Sequence, residues 1–347
     1  MKIVWLNGNP NPNFGGTEIH TVQMVKELQR EGVDIVLVVA RDSYVDLHTK
    51  GVRKYYISFP NSLALLSTYR LMHVLKEEKP DFLVANNGKE YANALISAKL
   101  SGTRVVFFRH MERMKEWIVR NFVFPYVDFF FAVSYQVEKN LIKEGVDPKK
   151  IKVIYNTVDE ERFFWKEKPK NSVNFLFVGK LDEGKGVFDL LEAFLILLKE
   201  KDSLRCFFVG DGKMRKKLED IVKERSLEDK VLFTGYVQDV ERYYQASHVC
   251  VIPSKETEAI SRVALEALSC GCAIVASDVG GIKEAVVEGY NGCIFKGGDV
   301  KDLYEKMLIT LENWETFSKN SLYLFKERFL RDKVIGDFVS TLGIIQA

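Results

Sequence analysis

The chain has 347 residues, of which 47% are hydrophobic and 28% charged, and its net charge is only +2. The length sets two domains as the starting expectation, with enough apolar residues for two cores. The balanced charge excludes a nucleic-acid-binding protein driven by bulk electrostatics, and no apolar run approaches the ~18 residues of a membrane-spanning helix.

The first residues, Met1-Lys2-Ile3-Val4-Trp5, read as a strand and lack the apolar stretch of a signal peptide. Strand-like apolar runs then alternate with helix-length amphipathic segments. In the first half the predicted strands are Ile3–Leu6, Ile35–Ala40, Phe82–Ala85, Arg104–Phe108, Phe129–Val133 and Ile151–Ile154. A charged stretch with one proline, Asp159–Ser172, reads as a linker. The alternation restarts with strands at Phe175–Val178, Arg205–Val209, Val231–Phe233, Val249–Ile252, Ala273–Ala276 and Cys293–Phe295. Trp314–Ala347 is helical in pattern with no strand after it. Continuous apolar strands alternating with helices predict parallel sheets covered on both faces. The fold class is therefore α/β, with two doubly wound Rossmann-like domains. Five cysteines, all in the second half and mostly in apolar runs, read as buried reduced thiols in a cytoplasmic protein.

Ligands of open parallel sheets bind at the carboxyl ends of strands, and two such domains facing each other make a cleft. The chemistry-bearing motifs all fall just after predicted strands. The first is Asn13-Phe14-Gly15-Gly16-Thr17-Glu18, before a helix predicted over Ile19–Arg30. Gly15 and Gly16 allow backbone to approach an anion; the plain alternative is a turn capped by Thr17. His110 ends Phe107-Phe108-Arg109-His110, where an imidazole suits a sugar hydroxyl or simply caps a helix. Residues 104–126 are basic and rich in aromatics (Arg104, Arg109, Arg113, Lys115 and Arg120 with Trp117, Phe122, Phe124 and Tyr126). Such a segment either lies on an anionic membrane surface or packs its aromatics inward.

In the second half, Gly179-Lys180-Leu181-Asp182-Glu183-Gly184-Lys185-Gly186 places two lysines around a turn, before a helix predicted over Val187–Lys199. Fixed cations there would neutralise charge growing on a leaving diphosphate; otherwise the turn is a solvated charged loop. Gly210-Asp211-Gly212 is a further Gly-x-Gly turn. Glu258 and Glu266 stand eight positions apart, one at the mouth of a helix and one about two turns inside it. A carboxylate there can accept both hydroxyls of a ribose, and the adjoining helix end favours a diphosphate. The competing reading is a solvated helical face. No Asp-x-Asp pair occurs, so the diphosphate is expected to be held without a metal.

Glu258-x7-Glu266, flanked by Pro253-Ser254, Cys270-Gly271, the apolar run Ala273–Ala276 and Gly280-Gly281, resembles the signature of the retaining family-4 glycosyltransferases. The resemblance covers nearly all of the chain and is strongest over residues 174–296. It implies the GT-B architecture, with an acceptor-side domain at 1–165, a donor domain at 166–324, and a last helix, about 325–347, returning to the first. It implies transfer of a hexose-like unit from a nucleoside-diphosphate sugar to a glycan, lipid-linked or small-molecule acceptor, with retained anomeric configuration and no cofactor. By the same resemblance the Gly15-Gly16 loop touches the donor, and Gly179, Gly210, Tyr236 and Val237 lie near the nucleotide. Glu266 would hold the ribose and Glu258 a hydroxyl of the sugar. Lys180, in place of the family's arginine, and Lys185 would stabilise the leaving diphosphate, and His110 would orient the sugar. The stretch Ala259-Ile260-Ser261-Arg262 departs from the common Gly-Phe-Gly-apolar pattern, which leaves the donor sugar open. A nucleotide-sugar 2-epimerase of the same fold and a non-catalytic sugar-nucleotide-binding module are the rival readings. The expected location is the cytoplasm, including the inner face of the cell membrane if residues 104–126 touch lipid.

Overall fold

The structure, a computed structural model, describes all residues except 13–14, 62–63, 111–116, 257–258 and 347, and the side chain of Ile118. The chain forms two compact units: Met1–Thr157 with Asp332–Ala347, and Val158–Arg331.

The first unit is built on seven parallel strands: β1 (Lys2–Asn7), β2 (Asp34–Val39), β3 (Arg53–Tyr56), β4 (Phe82–Ala85), β5 (Arg104–Arg109), β6 (Phe129–Ala132) and β7 (Ile151–Val153). Their spatial order is β3-β2-β1-β4-β5-β6-β7. Ile3 to Leu6 of β1 are fully buried, as a strand covered on both faces requires. The order in which strands are added reverses between β1 and β4, which makes that gap the unit's topological switch point.

The second unit carries six parallel strands: β8 (Val173–Val178), β9 (Leu204–Val209), β10 (Val231–Gly235), β11 (Val249–Ile252), β12 (Ala273–Ser277) and β13 (Gly292–Phe295). Their order is β10-β9-β8-β11-β12-β13, so the switch point lies between β8 and β11. Phe175, Phe194, Phe208, Phe295, Leu303 and Met307 belong to one buried core, fed by the sheet and by the helices Val187–Leu197 and Val300–Arg328. All five cysteines are free and buried.

Three features differ from the sequence expectation. β3 was not predicted: it is an edge strand, Arg-Lys-Tyr-Tyr, with no buried residue and hence no apolar run. The stretch 159–172 is not a loose linker but packs on the second unit. Phe163 is buried there, and the buried Lys168 ammonium donates to the carbonyls of Tyr244, Gln245 and Cys270 at 2.9, 3.2 and 2.9 Å. The return to the first unit begins at Asp332, later than the expected position of about 325; Trp314, edge-on to His248, belongs to the second unit.

Candidate functional site

Beside the β8–β11 switch point, β8 is followed by Gly179 (φ +153°) and β9 by Gly210 (φ +135°). A Cβ on Gly210 would overlap the Gly179 carbonyl, so the two strand ends approach at backbone distance. β8 runs on through a single 3₁₀ turn, Glu183–Lys185, to Gly186, which caps the helix Val187–Leu197 in a left-handed conformation (φ +67°). Gly186 supplies no side-chain cap, so among the described residues the first N–H groups of that helix are available to a ligand. Across the switch point the loop after β11 closes on this turn: the Lys255 N–H donates to Gly184 O at 2.8 Å, and Lys255 Nζ reaches both oxygens of Asp189 at 2.9 Å.

Lys180 is exposed and ion-paired with Asp182 at 2.6 Å, which holds the Asp182 carboxyl below its usual range. Lys185 is half-buried in the turn, its backbone N–H on Asp182 O at 3.1 Å. Tyr236 is exposed just after β10 and Val237 beside it is half-buried.

Ile260 and Ser261 are buried and Ala259 half-buried ahead of the helix Arg262–Ser269. That helix starts at Arg262, so Glu266 stands about one turn inside it, not two as the sequence suggested. Ser261, extended at φ −79° and ψ 116°, ends the non-helical stretch. Glu258, the partner of the sequence pair, lies outside the described residues. Glu266 is buried, with Oε1 accepting from Arg262 Nε at 3.0 Å and Oε2 from the Tyr244 hydroxyl at 2.9 Å. Burial raises its carboxyl pKa; the Arg262 charge, the Tyr244 hydrogen bond and the Arg162 charge oppose this.

In the first unit Gly15 is the N-cap of a helix that starts at Gly16, so Thr17 sits inside the first turn and is not the cap. Gly15 likewise supplies no side-chain cap. His110 follows β5. Its ring stacks on Phe108 and meets His20 edge-on, and Nε2 is shut from solvent without a hydrogen-bond partner among the described residues. Burial, then the neighbouring Arg109 charge, push its pKa down to about 3, so the imidazole is neutral at physiological pH. At the β1–β4 switch point Glu90 is buried, its Oε1 accepting the Gly8 N–H at 2.8 Å. Glu90 and Tyr244 carry no sequence signal: each is placed by a partner remote in the chain. Arg262 was legible only as a departure from the family pattern.

Among the described residues no group of three or more His, Cys, Asp or Glu could hold a metal, and no helix is long and apolar enough to cross a membrane.

Residues 158–321 match the family model described as glycosyl transferases group 1, and residues 14–162 match that of glycosyltransferase family 4. An uncharacterised glycosyltransferase of Methanocaldococcus jannaschii is 26% identical, covering 97% of each chain. The N-acetyl-alpha-D-glucosaminyl L-malate synthase of Bacillus anthracis is 24% identical over 94% of this chain and 93% of its own. Among solved structures, Anabaena HepE in complex with UDP superposes with a TM-score of 0.85 at 21% identity, over 99% of this chain and 100% of that one. HepE in complex with UDP-glucose does so at 0.78, with 20% identity and 99% of each chain covered.

Proposed function

The chain belongs to the group 1 glycosyltransferases of family 4 type and is a glycosyltransferase, and we propose that it moves a hexose-like sugar from a nucleoside-diphosphate sugar to a glycan, lipid-linked or small-molecule acceptor, retaining the anomeric configuration and using no metal. The observation that carries this reading is the grouping at one strand edge: close-approaching glycines, an uncapped helix N-terminus, a lysine turn and a buried carboxylate. Backbone N–H groups and Lys185 suit a diphosphate, and Glu266 suits a ribose diol. HepE, a neighbour in fold, is known with UDP and with UDP-glucose, which supports the donor class.

As the glycosidic bond breaks, negative charge grows on the diphosphate. Lys185 and the Val187–Leu197 helix dipole would stabilise that charge in place, without reorganisation. The acceptor's proton passes to a departing phosphate oxygen, so no dedicated base is required. His110 contributes a neutral ring nitrogen for a sugar hydroxyl, and Glu258 holds another. Within residues 104–126, Arg104–Arg109 form the strand β5 and Phe124 is buried, so inward packing holds there; Trp117, Phe122 and Tyr126 are exposed, at 59%, 59% and 64%, and only this part, from Trp117 on, supports a membrane-facing surface and a lipid-linked acceptor.

Calorimetry and turnover on three variants test the assignment. Glu266→Ala should weaken the free nucleoside diphosphate and the full donor alike, by about ten- to a hundredfold, as loss of a charged hydrogen bond predicts. Glu258→Ala should impair transfer yet spare nucleoside diphosphate binding. Lys185→Ala should lower kcat more than it raises KM. Turnover should persist in chelator. Parent-like nucleotide affinity in Glu266→Ala would reduce the pair to an ordinary helical face.

A further inference from the structure

This inference rests on the reading of Glu266 as the ribose-holding carboxylate. A carboxylate has two oxygens and about four lone-pair directions. One on each oxygen is already used, by Arg262 Nε on Oε1 at 3.0 Å and by the Tyr244 hydroxyl on Oε2 at 2.9 Å. The donors come from different elements: Arg262 lies one turn earlier on the same helix, and Tyr244 on the helix Glu241–Ala246. Gripped from both sides, the carboxyl group is not free to rotate. We propose that Arg262 is a positioning residue for donor binding: with Tyr244 it locks the Glu266 carboxylate so that one lone pair on each oxygen remains for the two ribose hydroxyls.

The geometry also sets the charge of the group. Glu266 is buried, and burial favours the neutral acid. The charges facing it are Arg262 on its own helix and Arg162 on the segment that packs beside Glu241. Its other titratable neighbours are Tyr244 and the thiols of Cys250 on β11 and Cys270 at the end of its helix. Burial pushes both thiols upward, so they stay neutral. Arg262 is therefore the nearer of two cations that keep the carboxylate ionised. An apolar residue at position 262, common in the family pattern, supplies neither the hydrogen bond nor the charge. A protonated Glu266 would donate from one oxygen and could no longer accept from both hydroxyls. Binding that needs the carboxylate is present above its folded pKa and fades as pH falls through it, and removing Arg262 moves that pKa further up.

The experiment uses the full chain. UDP, GDP, ADP and CDP are titrated calorimetrically into the parent, and the tightest becomes the probe. Parent, Arg262→Met, Arg262→Gln, Tyr244→Phe and Glu266→Ala are then compared at about pH 6 and about pH 8, both above the ordinary carboxyl range. The variant-to-parent ratio cancels titration of the nucleotide's own phosphate. Arg262→Met should bind about tenfold more weakly than the parent at the lower pH, as loss of a charged hydrogen bond predicts, and recover much of this at the higher. Arg262→Gln keeps an N–H donor without the charge and should show the same pH trend more mildly; it carries the test if the methionine variant does not fold. Tyr244→Phe should lose affinity at both pH values, because it frees the carboxyl to turn. If Glu266→Ala binds poorly while both Arg262 variants follow the parent at both pH values, the role of Arg262 is overturned and the reading of Glu266 stands. An equal loss at both pH values in Arg262→Met and Arg262→Gln would make Arg262 a direct ligand or a packing group, and also overturns the proposal. Parent-like binding in Glu266→Ala, or no nucleotide binding to the parent, overturns both readings.

Discussion

Glu90 is the residue whose chemistry the structure changes most. It is buried at the β1–β4 switch point, one oxygen on the Gly8 N–H and the other without a hydrogen-bond partner among the described residues. Burial pushes its pKa up to about 8, the Gly8 bond pulls the other way, and the charge of Glu18 adds to the rise. Between its ordinary value of 4.5 and about 8, the folded chain therefore holds a proton that the unfolded chain has released. Stability contributed at low pH is lost as pH rises through that window. Glu90→Gln keeps a side-chain oxygen for Gly8 and removes the titration. Its melting temperature should exceed the parent's at about pH 8 and approach the parent's near pH 5, where the folded carboxyl is protonated in any case. A gap of the same size at both pH values would mean that Glu90 is not the titrating group. The residues legible in sequence were those with a local signature: glycines in turns, lysines five apart, glutamates eight apart. Glu90 and Tyr244 have none, because their partners lie 82 and 22 positions away.

At the scale of the element, strands announced themselves wherever both faces are buried. Six of the seven strands in the first unit and five of the six in the second are read within one residue of their observed start. β3 escaped because an edge strand needs no apolar run, and the start of the Arg262–Ser269 helix was misplaced because Glu258 was read as the helix mouth, whereas the cap is Ser261, a residue type suited to that position. The turn after β8 offers a sharper test. Gly186 combines a left-handed φ of +67° with a Cβ direction that runs into the Pro253 carbonyl, while Gly298, at φ +83°, has nothing within 4 Å of such a Cβ. Alanine at either position incurs the left-handed penalty of about 1–2 kcal/mol. Only Gly186→Ala must also push apart the turns after β8 and β11. Gly186→Ala should therefore lower stability by clearly more than Gly298→Ala in denaturant melts, and should weaken nucleotide binding where Gly298→Ala does not. Equal losses would show that the two turns are not locked together at that carbonyl.

At the scale of the whole molecule, the chain leaves its first unit at Thr157 and returns at Asp332, so the first unit is completed only by a segment that follows the whole of the second. The returning helix, Arg331–Gln346, buries Val334, Ile335, Phe338 and Leu342. Phe338 is fully buried against Trp5 of β1, Phe108 of β5 and Phe131 of β6, with ring centroids 6.0, 6.1 and 4.7 Å away. It thereby packs on three strands of one sheet. Truncating a buried phenylalanine to alanine costs about 3–5 kcal/mol, a large part of the roughly 5–15 kcal/mol that holds a domain folded. Phe338→Ala, and more severely removal of residues 332–347, should therefore destabilise the first unit selectively. The second unit runs unbroken from Val158 to Arg331, and its own core contains no residue from the tail. Hydrogen exchange on the full-length variant should show lost protection over β1, β5 and β6 while β8, β11 and β12 keep theirs. Nucleoside diphosphate binding, if it belongs to the second unit alone, should survive Phe338→Ala while sugar transfer falls. Uniform loss of protection across all thirteen strands would mean that the units unfold as one cooperative body, and the assignment of donor binding to a self-sufficient second unit would have to be given up.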